Sequence, residues 1–543
     1  MGIRFTIIIV GFSLVFAFLI FNVYNLQVVN GGKFTAKANS QYFSSVQSKA
    51  NRGSIYFLDK NSSTLSAVLN KEFPVVFAIP KAIDDSKEAA SLLADILGED
   101  QLVLEKKFSK TGDPYELLLK KAEPSLIAKI SELKIPGIHI DSEPERFYPF
   151  GSLGSQVLGF VGPSDSDDVE SGRYGLEKFY NDLLAGKNGR KENGKLLTLP
   201  EAGGNLTLTI DPNIQKEAQK ILGGLVANFK AKGGSVIVQE PKTGRILALE
   251  NYPSFDPNNY GQASISSFLN PAIQTIYEPG SVFKVITMAA GIDAGKFSPE
   301  TTFYDKGSLT VSGRTIKNWD LKSYGKVTMT NVIEKSINTG AAYAGSLIGR
   351  DVFKKYLENF GFDEKTGIDL PGEVSGDLRA LGPKSPEVAF ATASYGQGVA
   401  VTTVEMINAI SAIANGGNLM RPYINAETEP KIIRRVVSAR AAREVTEMMV
   451  SALDKAEIGK IKSYKLAGKT GTAQVPDFNK GGYTDKVINT YVGFGPVAAP
   501  KFVILIRLNE PEGAPLAGLT VVPAFRDLAQ FILNYYNLSP DGI

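Results

Sequence analysis

Glu278-Pro279-Gly280-Ser281-Val282-Phe283-Lys284 reads as a tight turn running straight into a helix. Pro279 restrains the turn, and Gly280 admits backbone angles closed to other residues. Ser281 falls at the helix start, a position suited to serine. Lys284 follows three residues on, so the two side chains share one helical face. Val282, Phe283, Val285 and Ile286 surround the lysine with apolar groups. A lysine desolvated in this way has its pKa lowered and can accept a proton from a neighbouring hydroxyl. The chain has one histidine, His139, and no cysteine. If Ser281 is a nucleophile, Lys284 is therefore the base to expect. The helix start also offers the Ser281 N–H to an oxyanion.

Two further motifs follow in order. Ser336-Ile337-Asn338 comes after an apolar-periodic helix and before Thr339-Gly340-Ala341-Ala342. Its side chains suit proton relay and hydrogen bonding to a substrate amide, although Ser and Asn are also routine at helix ends. Lys469-Thr470-Gly471-Thr472-Ala473 falls on an expected strand. There Gly471 leaves room for a ligand against the backbone, and Lys469 with Thr470 offers a cation and a hydroxyl to a carboxylate. The Thr472 N–H is the natural second oxyanion donor. Single matches carry little weight: Ser-x-x-Lys occurs three times in this chain and Lys-Thr-Gly four times. Order and context carry the signal.

Around these motifs the pattern is α+β. Leu206–Ile210 reads as a strand, Asp211-Pro212 opens a helix to about Phe229, and Ser235–Gln239 with Arg245–Glu250 forms a hairpin about the Glu240–Gly244 turn. Ser281–Ala294 is helical. Lys469–Gln474, Thr490–Phe494 and Phe502–Leu508 read as strands, and Val521–Tyr536 as a closing helix. An antiparallel sheet covered by helices is the implied architecture. Earlier in the chain, Lys81–Leu97 and Glu116–Leu133 show helical spacing, while Pro163–Gly172 and Gly186–Gly194 read as loops.

The length of 543 residues calls for more than one folded part. The division expected is a tail and anchor at 1–24, a pedestal at 25–205, the α+β domain at 206–537 and a short tail at 538–543. From Phe5 to Gly32 no residue is charged, and Phe5–Phe21 is nearly all apolar. That run is about long enough to cross a ~30 Å hydrocarbon core. An uncleaved membrane anchor is preferred over a signal peptide, because no small-x-small site follows. Net charge of +3 gives no reason to expect nucleic-acid binding. One histidine and no cysteine disfavour a metal site, and no cofactor is expected. His139 reads as a half-buried strand residue, Arg434, Arg435, Arg440 and Arg443 as a solvated helix face, and Trp319 as packing or groove wall.

The three motifs together resemble the active-site signature of the class B (monofunctional) penicillin-binding proteins. So do Asn318-Trp319-Asp320, Tyr395–Thr402 (YGQGVAVT), Tyr491–Pro496 (YVGFGP), Arg52-Gly53-Ser54-Ile55, Arg146–Pro149, Gly159-Phe160-Val161 and Gly175-Leu176-Glu177. The likeness covers nearly the whole chain. It implies a peptidoglycan D,D-transpeptidase, of division rather than elongation type. Ser281 would be acylated by a stem peptide ending in D-Ala-D-Ala, with Lys284 as base. Ser336 and Asn338 would assist proton transfer and alignment, while Lys469, Thr470, Gly471 and Thr472 would bind the carboxylate region and the oxyanion. It further implies inhibition by β-lactams and a cytoplasmic N-terminus on a single-pass bacterial membrane protein. The expected partners are a SEDS-type glycan polymerase and other membrane proteins of the divisome or elongation complex. The alternatives are a D,D-carboxypeptidase or β-lactamase, a β-lactam sensor, and an inactive divisome scaffold. Three departures touch the support shell: RGSIYFLDKNSS is a loosened form of an early family strand, Pro271 stands where Arg is usual, and Gln156 where His is common.

Overall fold

Ile55–Leu58 (β1), Thr64–Ala78 (β2), Glu116–Lys120 (β3) and Ile138–Phe147 (β4) form a sheet in which the long β2 pairs antiparallel with the other three. Leu206–Thr207 joins β1 in parallel, a shorter strand than the expected Leu206–Ile210. The computed structural model describes residues 16, 18, 19, 50–113, 115–164, 170–192, 195–477 and 480–541. The expected anchor over Phe5–Phe21 lies outside them, save Phe16, Phe18 and Leu19, which are helical. Among the described residues no helix is long and apolar enough to cross a membrane.

The chain divides into two compact units. One comprises Met1–Gly53 and Asp182–Asn205. Its two segments are joined by Gly53 N–H to Leu184 O at 2.8 Å and by Gly203 N–H to Asn51 O at 2.8 Å. The expected loop at Gly186–Gly194 contains one strand of a hairpin, Arg190–Glu192 with Lys195–Thr198. The other unit, Ser54–Asn181 with Leu206–Ile543, holds both large sheets. In it Val161–Pro163 pairs with Glu170–Gly172, so the ends of the expected Pro163–Gly172 loop are strand-like.

Two early helices differ from expectation. Helix α1 starts only at Ser86 and runs to Leu97, because Asp85 caps the N–H groups of Lys87 and Glu88 at 2.9 Å each. Gln101–Phe108 (α2) follows. Glu116–Leu133 is not one helix: its first five residues are β3, paired with Val75–Ala78, and Pro124 opens helix α3 to Leu133. Leu117-Leu118-Leu119 fits either period, so strand pairing decides; Pro124, lacking an N–H, suits the first helical turn. His139 lies on β4 as a strand residue, but exposed rather than half-buried, stacked on Phe77 across the strand pair.

The second sheet is built from Gly233–Gln239 (β5), Ile246–Tyr252 (β6), Ala467–Pro476 (β7), Tyr483–Gly495 (β8) and Phe502–Asn509 (β9). Its order is β6-β5-β9-β8-β7, all antiparallel. Val236, Val238, Ile504 and Ile506 alternate onto one face and pack on Pro212–Phe229 (α4) and Val521–Tyr535 (α8) through Leu222, Phe525, Leu528 and Ile532. The opposite face carries the Gly280–Phe283 turn and the helix Thr403–Ala414 (α7). Strand β7 is the edge, so its free side borders the turn. The four arginines do not share a helix face. Arg434 and Arg435 end the strand Ile432–Arg435, which pairs with Asn418–Met420, and only Arg440 and Arg443 lie on the helix Ala439–Ala456.

Arg146 and Glu177, from two separate segments of the first half, meet as a buried ion pair. Arg146 Nε donates to Glu177 Oε1 at 2.7 Å, and Arg146 Nη1 donates to Asn70 Oδ1 at 3.1 Å. Removing one partner of such a pair strands the other charge at a cost of about 3–5 kcal/mol. Glu177→Ala is therefore expected to lower the urea unfolding midpoint of the full chain by a corresponding amount, whereas Lys187→Ala, which breaks an exposed pair with Glu201, leaves it nearly unchanged.

Candidate active site

Gly280 stands at φ +59°, in the left-handed region, and turns the chain from Pro279 into a 3₁₀ turn that continues as helix α5, Lys284–Asp293. Ser281 lies in that turn, and Lys284 Nζ comes 3.1 Å from Ser281 Oγ. Lys284 is fully buried. Its nitrogen also lies 2.6 Å from Ser336 O, 3.2 Å from Ser336 Oγ and 2.8 Å from Asn338 Oδ1. Burial, then the positive charge of Lys469, holds this amine well below the ordinary lysine range.

Ser336 and Asn338 reach Lys284 because the chain between two helices is sharply turned. Met329–Glu334 ends, Ser336 takes φ +56°, and Asn338 begins helix α6, which runs to Ile348. A left-handed serine is uncommon. Here it brings the Ser336 carbonyl and hydroxyl to the same amine. Asn338 Nδ2 donates to Lys317 O at 2.9 Å, which orients the amide with its oxygen toward Lys284.

Strand β7 supplies the third group. Lys469 Nζ donates to Ser336 Oγ at 3.1 Å and to Thr470 O at 3.0 Å, and lies 3.2 Å from Thr470 Oγ1. Burial pushes its pKa down to about 7. A Cβ on Gly471 would come within 2.9 Å of Pro279 O and 3.0 Å of Val282 Cγ1, so only glycine lets β7 press against the serine turn. Thr472 Oγ1 donates to Asn489 Oδ1 and accepts the Ala517 N–H, both at 3.3 Å, which ties β7 to the 514–520 loop.

Ser281, Ser336, Asn338, Thr470 and Thr472 line one cavity of about 810 Å³, with the two lysine ammonium stems buried beneath it. All eight residues singled out in the three motifs thus converge. Trp319, 56% exposed, is groove wall, its Nε1 donating to Lys335 O at 3.2 Å.

Several supporting residues carried no signal. Asp305 is buried and accepts from Thr339 Oγ1 at 2.6 Å, Asn318 Nδ2 at 2.9 Å and the N–H groups of Gly307 and Tyr324 at 2.9 Å. Asn318 Oδ1 in turn accepts the Thr339 N–H at 3.2 Å. Glu278 accepts from Tyr483 Oη at 3.0 Å and the Gly398 N–H at 2.9 Å, linking the serine turn to β8. The Asn-Trp-Asp triplet at 318–320, Glu278 and the 395–402 stretch stood in the quoted segments, whereas Asp305 and Tyr483 did not. Gln156 is buried and donates to Pro253 O at 2.7 Å and Ser267 O at 3.1 Å, while Pro271 opens a short helix capped by Asn270. Both departures from the family pattern are therefore accommodated.

Residues 234–530 match the penicillin binding protein transpeptidase domain, and residues 47–196 the penicillin-binding protein dimerisation domain. Stage V sporulation protein D of Bacillus subtilis is 30% identical over 94% of this chain and 83% of its own length. Peptidoglycan D,D-transpeptidase FtsI of Escherichia coli is 28% identical over 99% of this chain and 93% of its own. Among solved structures, penicillin binding protein 3 of Mycobacterium tuberculosis, complexed with aztreonam, superposes with a TM-score of 0.71 at 26% identity, covering 91% of this chain and 98% of that one.

The like charge of Lys469 depresses Lys284, so its removal has a definite sign. Lys469→Met should raise the titration midpoint of Lys284, read by NMR of lysine labelled at Cε. A midpoint unchanged or lowered would contradict this electrostatic coupling.

Proposed function

The chain belongs to the penicillin-binding protein transpeptidases, and we propose that it is a class B, division-type peptidoglycan D,D-transpeptidase acting through a Ser281 acyl-enzyme. The observation that carries the residue roles is the Lys284 amine, buried 3.1 Å from Ser281 Oγ among acceptors that satisfy its own protons. Neutral, it donates to Ser336 O and Asn338 Oδ1 and turns its lone pair to the Ser281 hydroxyl. As it takes that proton, Oγ attacks the carbonyl of the penultimate D-Ala of the donor. The N–H groups of Ser281 and Thr472 hold the resulting oxyanion. The C–N bond breaks, and the terminal D-Ala leaves with a proton passed through Ser336, whose hydroxyl touches both lysines. An acceptor amine from a second stem peptide then attacks the ester, and Ser281 recovers its proton. Lys469 and Thr470 bind the donor carboxylate, and Gly471 lets the donor lie along β7. A β-lactam enters as a donor mimic and stays as a slow ester.

The domain limits proposed are 25–205 for the pedestal and 206–537 for the catalytic part. Phe5–Phe21 anchors the chain in the bacterial membrane with the N-terminus cytoplasmic, since the substrate lies outside. The expected partners, a SEDS-type polymerase and divisome or elongation-complex membrane proteins, follow from the family resemblance.

Fluorescent penicillin should label the protein, and Ser281→Ala should abolish labelling; labelling that persists would sink the nucleophile. Lys284→Ala should slow acylation at least 100-fold near neutrality, within the usual scale of general-base catalysis of about 10²–10⁴. With lipid-linked donor and a cognate polymerase, mass analysis should find cross-linked dimers; trimmed monomers alone would mean carboxypeptidase action.

The pH dependence has a worked sign. Lys284 must be neutral to act, and its depressed pKa moves the rising limb of acylation well below an ordinary lysine's. Lys469 must be charged to hold a carboxylate, so donor kcat/KM should fall above about 7. Lys469→Arg, which stays protonated, should lose that falling limb; an unchanged bell would overturn the assignment.

A further inference from the structure

Beside Ser336 the cavity carries two cations that the three motifs do not use. Lys317 and Lys335 both line it, and neither has a carboxylate within ion-pair distance among the described residues. Acids stand close by, but they are committed elsewhere. Glu334 Oε1 takes Lys455 Nζ at 2.7 Å and Ser451 Oγ at 2.5 Å, and its Oε2 takes Asn331 Nδ2 at 2.9 Å. Asp320 Oδ2 takes Tyr324 Oη at 2.6 Å, and its Oδ1 takes the Lys322 N–H at 3.1 Å. Lys335 is not loose either: its Nζ sits 4.6 Å over the Tyr324 ring, and its carbonyl accepts from Trp319 Nε1. A cation held over an aromatic face is placed without being neutralised.

We propose that Lys317 and Lys335, with Trp319 and Tyr324, form a subsite for a free carboxylate on the donor stem peptide, upstream of its D-Ala-D-Ala end. The inference rests on the donor-binding reading of the same cavity. Lys469 and Thr470 take the donor's terminal carboxylate on β7, and Ser281 takes the penultimate carbonyl. The rest of the peptide must continue along the cavity, past Asn338. An extended chain advances about 3.3 Å per residue, so the residues one and two places further back lie roughly 3–7 Å from the reacting residue. Lys335 is next in sequence to Ser336, whose carbonyl is 2.6 Å from Lys284 Nζ, and Lys317 holds Asn338 through its own carbonyl. Both long side chains therefore start within reach of that stretch. Two acidic positions there fit: the α-carboxylate of a γ-linked D-glutamate, and the side-chain carboxylate of a third-residue diamino acid.

The test compares rates of Ser281 acylation by four synthetic pentapeptide donors, read as acyl-enzyme by mass spectrometry. One pair differs in the D-glutamate α-group, acid or amide. The other carries meso-diaminopimelate or lysine at the third position. Charge-assisted hydrogen bonds of ordinary strength predict about a tenfold preference in kcat/KM for the acid in at least one pair. Lys317→Gln with Lys335→Gln should bring that ratio close to one, and Lys317→Arg with Lys335→Arg should keep it. The pair whose ratio collapses identifies the carboxylate recognised. Equal rates within both pairs, or a preference that survives the double glutamine change, would overturn the subsite alone. If penicillin labels Ser281 but no stem peptide acylates it, the donor-binding reading falls and the subsite with it.

Discussion

A lysine amine buried away from solvent is the constraint on which this site turns. Lys284 has no exposed surface, and a buried unpaired ammonium costs several kcal/mol. Two remedies are open to it: lose the proton, or find acceptors for every hydrogen. The fold provides for both. Acceptors arrive from the residues between two helices, Ser336 and Asn338, while a second cation on β7 opposes protonation. Lys284, the 336–338 segment and Lys469 come from three distant stretches of sequence, so the sheet must hold β7 in register and the 336–338 turn must stay closed.

That requirement explains two local costs. Ser336 is kept at φ +56°, an arrangement worth of order 1–3 kcal/mol of strain for a residue with a side chain. The buried Asp305–Asn318–Thr339 network clamps the start of helix α6 from below, with every carboxylate oxygen occupied. The second cost is backbone freedom at Gly280 and Gly471, where the serine turn and β7 touch. A side chain at either place would part the two halves of the site by some tenths of an ångström. The proposed proton transfer from Ser281 to Lys284 spans 3.1 Å and depends on that contact.

What was legible in the sequence follows from the range of each interaction. The hairpin β5–β6, strands β7 to β9 and helix α8 declare themselves through local periodicity, and the serine turn through Pro279 and Gly280. The eight motif residues were legible because side-chain chemistry is written in residue type. Backbone groups are not so written. The Ser336 and Lys317 carbonyls, each a hydrogen-bond acceptor in the site, have no identity in the sequence. Nor does pairing: Glu116–Lys120 has helical spacing, yet the ladder offered by Val75–Ala78 makes it a strand. Arg434 and Arg435 were drawn into an imagined helix for the same reason, their partner strand lying at Asn418–Met420.

In the proposed mechanism Lys284 is the base and Lys469 the anion holder, and the two are electrostatically coupled. They share one hydroxyl, that of Ser336, at 3.2 and 3.1 Å, so they titrate as a pair. Both are depressed by burial, but only Lys284 is pushed further by its neighbour's charge, while Lys469 remains at about 7. Charge on Lys469 disfavours charge on Lys284, so protonation of one works against protonation of the other. Similar groups driven apart in this way divide acid and base work between them. In the proposed mechanism a donor carboxylate arriving on β7 stabilises the charged form of Lys469. In that mechanism donor binding and base function are linked through Ser336, the one hydroxyl that both lysines reach.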